Sequence, residues 1–243
     1  MTRWFMIASV LIVTIQTGCA GSPAFDRYAM HDALTHNGIQ ADESPPAASG
    51  RTPSAPSAPL RLAYYFVEVH FPLDHGIWKA EWIGTDKSVL ADSLAPLKRE
   101  GIATEIFLLT DPTIRGRDVK KIKTTAARYG ADAVLIVNGV GAVDRSNNAY
   151  AALYPTVIGA YLVPGTVGES LFIVEGNVWD TRVDRLHTKQ AAEGHARMAG
   201  PAMKLEDREV FGLAKHSALK ALGEKIADEL IRRKGEGLPS DNR

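Results

Sequence analysis

The sequence predicts a mixed α/β fold: three strands of βαβ type, then a β-hairpin, and last a long amphipathic C-terminal helix. Three observations lead to this prediction. Apolar, β-branched runs alternate with helical periodicities between residues 60 and 143. Two strand-like runs flank a polar turn within 169–198. Apolar residues recur at helical spacing through 208–234, and we expect the helices to pack on the sheet.

The first strand is predicted at 60–71, where β-branched and aromatic residues dominate. A helix is predicted at 85–101, with Gly101 as its stop. Pro96 lies inside this segment and should kink or end the helix, because proline has no backbone N–H to donate. The second strand is predicted at 102–110.

A second helix is predicted at 116–130, with Gly130 in the left-handed position that follows a helix end. Residues 131–143 are almost continuously apolar, which is typical of a strand covered on both faces. The hairpin of 169–198 should turn near Arg182–Asp184. The C-terminal helix should bury one stripe against the sheet. That stripe consists of Phe211, Ala214, Ala218, Leu219, Leu222, Ile226 and Leu230.

The N-terminus has the layout of a secretory signal peptide, predicted at 1–18. Arg3 precedes an apolar core, and small residues close the segment. This core is about 12 residues long, whereas a transmembrane helix needs about 20. Cys19, the single cysteine of the chain, follows directly.

Residues 16–19, Gln-Thr-Gly-Cys, resemble the lipobox of bacterial lipoproteins. The resemblance implies that Cys19 becomes the first residue of the mature protein and carries acyl chains such as palmitate. Gln16 departs from the pattern, which usually has an aliphatic residue there. Ordinary cleavage near Gly18 or Ala20, releasing an unanchored protein, is therefore the alternative. By the same resemblance, Ala20 in place of aspartate implies that the protein is located on the outer membrane and faces the periplasm.

Residues 19–59 are predicted to form a disordered tether behind this anchor. Five of the sixteen residues in 44–59 are proline, and serine and alanine fill most of the rest, so this part cannot bury enough apolar surface to fold. One short helix is predicted within the arm, at 24–34. A single globular domain should then span 60–234, with a flexible tail at 235–243.

The segment 127–143, ARYGADAVLIVNGVGAV, resembles the helix, Gly-Ala-Asp turn and strand of several envelope proteins. These are the amino-terminal domain of the Tol-system propeller protein, the lipoprotein activators of peptidoglycan synthases and the curli secretion lipoproteins. Small meningococcal-type surface lipoproteins are similar as well. The resemblance implies a mixed sheet with helices on one side, and a role in binding or assembly without chemistry.

Composition excludes one class of partner. Removing Arg3 with the signal leaves 27 basic residues against 28 acidic ones, and so balanced a chain is not a basic nucleic-acid binder. With one cysteine, the domain must fold on its core alone, without an internal disulfide.

No catalytic motif or cofactor loop is recognisable. Gly139-Val140-Gly141 lacks the third glycine of a dinucleotide fingerprint and is expected to ease a strand bend. His187 and His195 are too far apart along a strand to share a metal. His70, Asp74 and His75 are the remaining candidates, although a metal site normally needs three or four converging ligands. We therefore expect no enzyme activity, no metal and no cofactor.

The twenty residues 149–168 carry no charge. They could form a buried part of the core, an exposed apolar loop for a protein partner, or a membrane-inserting β-hairpin like the corresponding region of the curli secretion family. The residues assigned to partner binding are Tyr154, Val157, Ile158, Tyr161, Leu162 and Val163. The sequence thus predicts a lipid-anchored, non-enzymatic envelope protein that binds an envelope partner or itself; the alternative is an oligomeric secretion or pore component.

Overall fold

The structure is a computed structural model. It describes residues 25–36, 59–67, 77–79, 81–112, 114 and 117–236. The predicted signal peptide, the lipidation site at Cys19 and the candidate metal residues His70, Asp74 and His75 lie outside these ranges.

The described residues form one mixed sheet of six strands: β1 Leu60–Phe66, β2 Ile77–Lys79, β3 Ala103–Leu108, β4 Ala133–Asn147, β5 Thr166–Asp180 and β6 Leu186–Gly200. The sequence predicts the mixed sheet and five of these strands, but not β2. The continuous order of the sheet is β3-β1-β4-β5-β6, with β1 parallel to β3 and β4 and with β4, β5 and β6 mutually antiparallel. The short β2 pairs antiparallel with β4 at residues 140–142, beyond the part of β4 that β1 covers.

The α-helices are α1 Arg27–His36, α2 Gly84–Ser93, α3 Pro96–Arg99, α4 Val119–Arg128, α5 Val157–Leu162 and α6 Asp207–Glu236. The predicted break at Pro96 is confirmed, since this residue begins the separate helix α3. Gly101 and Gly130 both have positive φ, as expected of residues that follow a helix end. The predicted hairpin and C-terminal helix are also confirmed, and the turn of the hairpin is 181–185.

Helices cover both faces of the sheet, whereas the family resemblance implied one side. On the first face, Leu135 and Val137 of β4 pack in the cluster that contains the buried stripe of α6 and the leucines of α2 and α3. On the second face, Val134 and Ile136 pack with Ile122 of α4. The alternation of β4 accounts for this, because successive side chains of a strand point to opposite faces.

The predicted short helix in the N-terminal arm exists as α1, but it is part of the domain. Met30 and Leu34 are buried against Val140, Leu171 and Ile173 on the second face of the sheet. The tether prediction therefore does not hold for the residues of α1. The proline-rich segment therefore connects two elements, α1 and β1, that belong to the same folded domain.

Gly139 and Gly141 provide space for aromatic packing, which is a different role from the predicted strand bend. A Cβ atom at Gly139 would lie 2.8 Å from the Phe172 ring, and one at Gly141 would lie 2.5 Å from Phe211. The rings of Phe172 and Phe211 meet edge to face, with centroids 5.5 Å apart. The rings of Phe172 and Phe211 thus fill the space above β4 that side chains at positions 139 and 141 would otherwise occupy.

The backbone of helix α6 lies directly against the backbone of the edge strand β6. A Cβ atom at Gly194 would lie 2.1 Å from the carbonyl oxygen of Ala214. Two cationic side chains of α6 also bind carbonyl groups of β6. Lys225 Nζ donates to Ala191 O at 2.8 Å, and Arg233 Nη1 donates to His187 O.

A buried ion pair joins α6 to the start of α2. Lys215 Nζ lies 2.7 Å from Oδ2 of Asp86, which is fully buried, and also donates to Glu81 O at 2.8 Å. The same Oδ2 accepts from Ile83 N at 2.8 Å, and Oδ1 lies 3.1 Å from Nε2 of His216. Each side chain of the pair is therefore positioned by contacts from two elements.

Removing Lys215 should leave Asp86 as a buried carboxylate without its ammonium partner. We expect Lys215→Met to lower the free energy of unfolding by about 3–5 kcal/mol. The double variant Asp86→Asn/Lys215→Met should lose less, because no charge is left unpaired. Chemical denaturation measures both. The matched control is Lys220→Met, because Lys220 pairs with Glu224 on the exposed side of α6. Equal losses for the single and double variants would contradict this account.

The stability of the fold should depend on pH through His187. Burial lowers the pKa of this histidine, against the opposing influence of Asp180, whose Oδ2 lies 3.7 Å from Nε2. In the unfolded chain its pKa returns to about 6.5, so below that pH the unfolded chain binds more protons than the folded one. The contribution of His187 is therefore complete above about pH 6.5 and is lost as the pH falls towards the lowered pKa of the folded state.

His187→Gln should flatten the fall in stability below about pH 6.5, by at most about 1.4 kcal/mol per pH unit. Urea denaturation at several pH values measures this slope. His195→Gln serves as the control, since His195 is exposed on the same strand. An unchanged slope for His187→Gln would rule out this histidine as the source.

Candidate interaction surface

The chain between β4 and β5 forms a small helical projection at one end of the sheet. It consists of a 3-10 helix, Ala149–Leu153, and the helix α5. Residues 149–163, called the apolar cap below, carry no charge. The cap thus extends the longest hairpin of the sheet beyond its last paired residues, Asn147 and Thr166.

The base of the cap is closed by hydrogen bonds of Asn148. Its backbone N–H donates to Gly165 O at 2.8 Å, and its side-chain Nδ2 donates to Pro164 O at 2.9 Å. Its Oδ1 accepts from Tyr150 N at 2.9 Å, which caps the 3-10 helix. One asparagine therefore joins the two ends of the connection and begins its first helical turn.

The two helical pieces of the cap pack directly on each other. Thr156 Oγ1 accepts from Gly159 N at 3.1 Å and so caps α5. A Cβ atom at Gly159 would lie 2.0 Å from Leu153 O, so only glycine permits this approach. Tyr154 fixes the cap to the sheet, with its hydroxyl 2.9 Å from Thr166 Oγ1. These contacts hold the two helical pieces of the cap against each other and against the sheet.

Large apolar side chains on the outside of the cap face solvent. Ile158 is 72% exposed and Leu162 is 67% exposed. Met203, from the loop between β6 and α6, lies beside the cap, and its N–H donates to Ala160 O at 3.4 Å. Six of the eleven exposed large hydrophobic residues in the described ranges belong to this surface, which concentrates them at one end of the molecule. They are Tyr150, Leu153, Ile158, Tyr161, Leu162 and Met203.

The structure separates the residues assigned to partner binding into two groups. Ile158, Tyr161 and Leu162 are exposed, whereas Tyr154 and Val163 are half-buried and help to hold the cap together. The side chain of Val157, the sixth assigned residue, lies outside the described set.

Of the three interpretations of 149–168, burial in the core holds only for the last residues, 165–168, where β5 begins. The cap itself is exposed, as in the interpretation of an apolar loop for a partner. Its two helical pieces differ from the paired, alternating strands of a membrane β-hairpin.

Sequence reasoning did not single out Tyr150, Leu153 or Met203. The lack of charge marked the segment that contains the first two, but short helices of one or two turns have too few residues for a periodicity to show which side is buried. Nothing in the sequence near Met203 connects it to the cap, because that contact depends on where β6 ends.

Asp132, directly before β4, has structural partners. Asp132 Oδ2 accepts from Arg61 N at 2.9 Å, and its Oδ1 accepts from Arg182 at 2.8 Å, so it joins strand ends. Among the described residues, no three histidine, cysteine, aspartate or glutamate side chains come together as a metal site. Of the helices in the described part of the chain, none has both the length and the apolar character required to cross a bilayer.

No family model and no curated protein matches this chain. The chain is similar to solved structures that include the following three. PelC from Paraburkholderia phytofirmans, a dodecamer, has 16% identity and a TM-score of 0.32, over 72% of this chain and 93% of PelC. A putative neuraminyllactose-binding hemagglutinin homologue from Helicobacter pylori has 12% identity and a TM-score of 0.36, over 75% and 94%. A lipoprotein from Neisseria meningitidis has 11% identity and a TM-score of 0.30, over 70% and 99%. The finer resemblance to the Tol, peptidoglycan-synthase and curli proteins stays a prediction.

The division of the cap into supporting and exposed residues is testable by mutation. Tyr154→Phe removes the hydrogen bond to Thr166 and should lower the free energy of unfolding by about 1 kcal/mol. Ile158→Glu alters an exposed position and should change it by no more than about 0.5 kcal/mol. Urea denaturation with circular dichroism measures both values. A large loss for Ile158→Glu would mean that this residue supports the fold and does not form a free surface.

Proposed function

We propose that this protein is a non-enzymatic lipoprotein of the cell envelope that contacts another envelope component through its apolar cap, in assembly or transport. The observation that carries the proposal is the cap itself. It is held by its own hydrogen bonds, carries no charge and exposes large apolar side chains. An exposed apolar surface with an ordered framework is typical of an interaction site.

The N-terminal sequence supports an anchored location. A signal-peptide layout and the lipobox-like residues before Cys19 favour acylation of that cysteine. Several acyl chains on one protein hold it on a membrane far more firmly than one, at about 0.8 kcal/mol per buried methylene. By the resemblance to bacterial lipoproteins, Ala20 in place of an aspartate after the cysteine supports a location on the outer membrane, facing the periplasm.

A binding role without chemistry fits the buried polar groups better than catalysis does. Asp86, Lys215 and His216 bring a carboxylate, an ammonium group and an imidazole into close contact. Both oxygens of Asp86 face these partners or the first turn of α2, and the carboxylate is fully buried. These contacts hold α6 on α2, and full burial keeps the carboxylate out of reach of a substrate in solution.

The alternative function is an oligomeric secretion or pore component that associates through the same cap. Its exposed apolar residues suit contact with a second copy as well as with another component. Mass photometry of the detergent-extracted protein separates the two functions. A monomer or dimer supports the binding protein, and a ring of many subunits supports the pore component.

The anchor itself is tested by Cys19→Ala. Because this variant has no thiol to acylate, we expect it to leave the membrane fraction and appear in the periplasmic wash. Cell fractionation and immunoblotting measure the distribution. Ser22→Ala, three residues on, is the matched control and should stay with the membranes. Unchanged membrane association of Cys19→Ala would contradict lipid anchoring.

A further inference from the structure

The direction in which α1 crosses the sheet is fixed by contacts at its two ends. At the beginning, the ring of Phe25 meets that of His195 edge to face, with centroids 6.4 Å apart. Near its end, Leu34 O accepts a hydrogen bond from Asn138 Nδ2 at 3.4 Å. The helix therefore runs diagonally over the second face, from β6 towards β4.

The pairing register of the strands shows where along the sheet these two contacts lie. His195 lies opposite Leu171, which in turn lies opposite Ala142 of β4. The beginning of α1 is thus level with Ala142, whereas its last turn is level with Asn138. Because β4 runs on towards its end at Asn147, the N-terminal end of α1 points to the end of the sheet that carries the apolar cap.

The chain that precedes α1 is short. Cys19 lies six residues before Phe25, so at most about 20 Å separates their Cα atoms. The distance along β4 from Ala142 to Asn147, at the base of the cap, is about 17 Å. An acylated Cys19 can therefore reach the level of the cap. The far end of the same strand, at Ala133, is about 30 Å from Ala142 and beyond its reach.

The outer side of β5 and β6 and the apolar cap differ in charge. The outer side of β5 and β6 carries cross-strand ion pairs, among them Glu169–Arg197 at 3.2 Å and Glu175–Lys189 at 3.3 Å. Laying that surface on lipid would remove water from charged groups, which is costly. The cap carries no charge at all, so its contact with lipid has no such cost.

The chemistry of the cap suits the boundary of a bilayer. Its backbone forms two short helical pieces whose turns and caps bind several N–H and C=O groups within the cap, such as Gly159 N to Thr156 Oγ1, and internal hydrogen bonding of this kind favours contact with lipid. Tyr150 and Tyr161 present aromatic rings with a polar hydroxyl, the type of side chain enriched at membrane–water interfaces. Ile158 and Leu162 supply the aliphatic surface.

We propose that the apolar cap rests on the lipid bilayer that holds the acyl chains of Cys19, so that the domain is attached to one membrane at two points. This inference rests on the proposed acylation and names the bilayer as the envelope component that the cap contacts. The sheet then stands with its cap end on the membrane. The opposite end, with the turn at 181–185, points away from it by the length of a fifteen-residue strand, about 50 Å.

The test places one fluorophore at each end of the sheet in the full-length lipidated protein. Ile158→Cys and Val183→Cys each introduce an exposed thiol, and Val183 is the matched control because it is an exposed apolar residue at the far end. Each variant is labelled with a polarity-sensitive fluorophore and reconstituted in vesicles of phosphatidylethanolamine and phosphatidylglycerol. We expect spin-labelled lipid to quench the fluorophore at 158 several-fold more than the one at 183.

Intact-mass measurement of the same samples distinguishes the two proposals. An unmodified Cys19 would overturn both of them. An acylated Cys19 with an unquenched fluorophore at 158, or with stronger quenching at 183, would overturn the bilayer contact alone. A fluorophore at 158 that is shielded from water, insensitive to spin-labelled lipid and cross-linked to a polypeptide would replace the bilayer by a protein partner or a second copy, which also overturns it.

Discussion

The close approach of α6 to the sheet is the constraint on which the other elements depend. At Gly194 the helix backbone lies where a side chain of β6 would otherwise stand. This contact sets how closely the apolar stripe of α6 approaches the sheet. The Asp86–Lys215 ion pair then positions α2 against the same helix. With α6 so placed, Phe211 reaches the space above Gly141. A larger residue at 194 would therefore disturb helix, sheet and aromatic cluster together.

Much of this fold follows from local patterns in the sequence. The apolar run of 131–143 and the periodicity of 208–234 predicted β4 and α6, because each pattern reports directly on burial. Pro96, Gly101 and Gly130 marked helix boundaries through backbone restrictions that do not depend on distant residues. The predicted boundaries were wrong where pairing between strands determines where an element ends. The extension of β4 to Asn147 depends on its partner β5 and has no signal in the local apolar pattern.

The position of α1 and the exposure of the cap depend on contacts between distant segments. Composition correctly separated the short helix from its proline-rich neighbours, but it could not show that Met30 and Leu34 would meet residues more than a hundred positions away. For the cap, the lack of charge identified the segment and left open which of its side chains are covered. Tyr154 illustrates the difference: only the nearby Thr166 hydroxyl makes it a supporting residue.

The edge strand β6 has a further consequence through its contacts with α6. Lys225 and Arg233 occupy the carbonyl groups of Ala191 and His187 with charge-assisted hydrogen bonds. An incoming strand from another molecule would have to displace both cations before it could pair along this edge. Copies of the protein at high local concentration are therefore hindered from joining their sheets through β6 into a continuous ribbon.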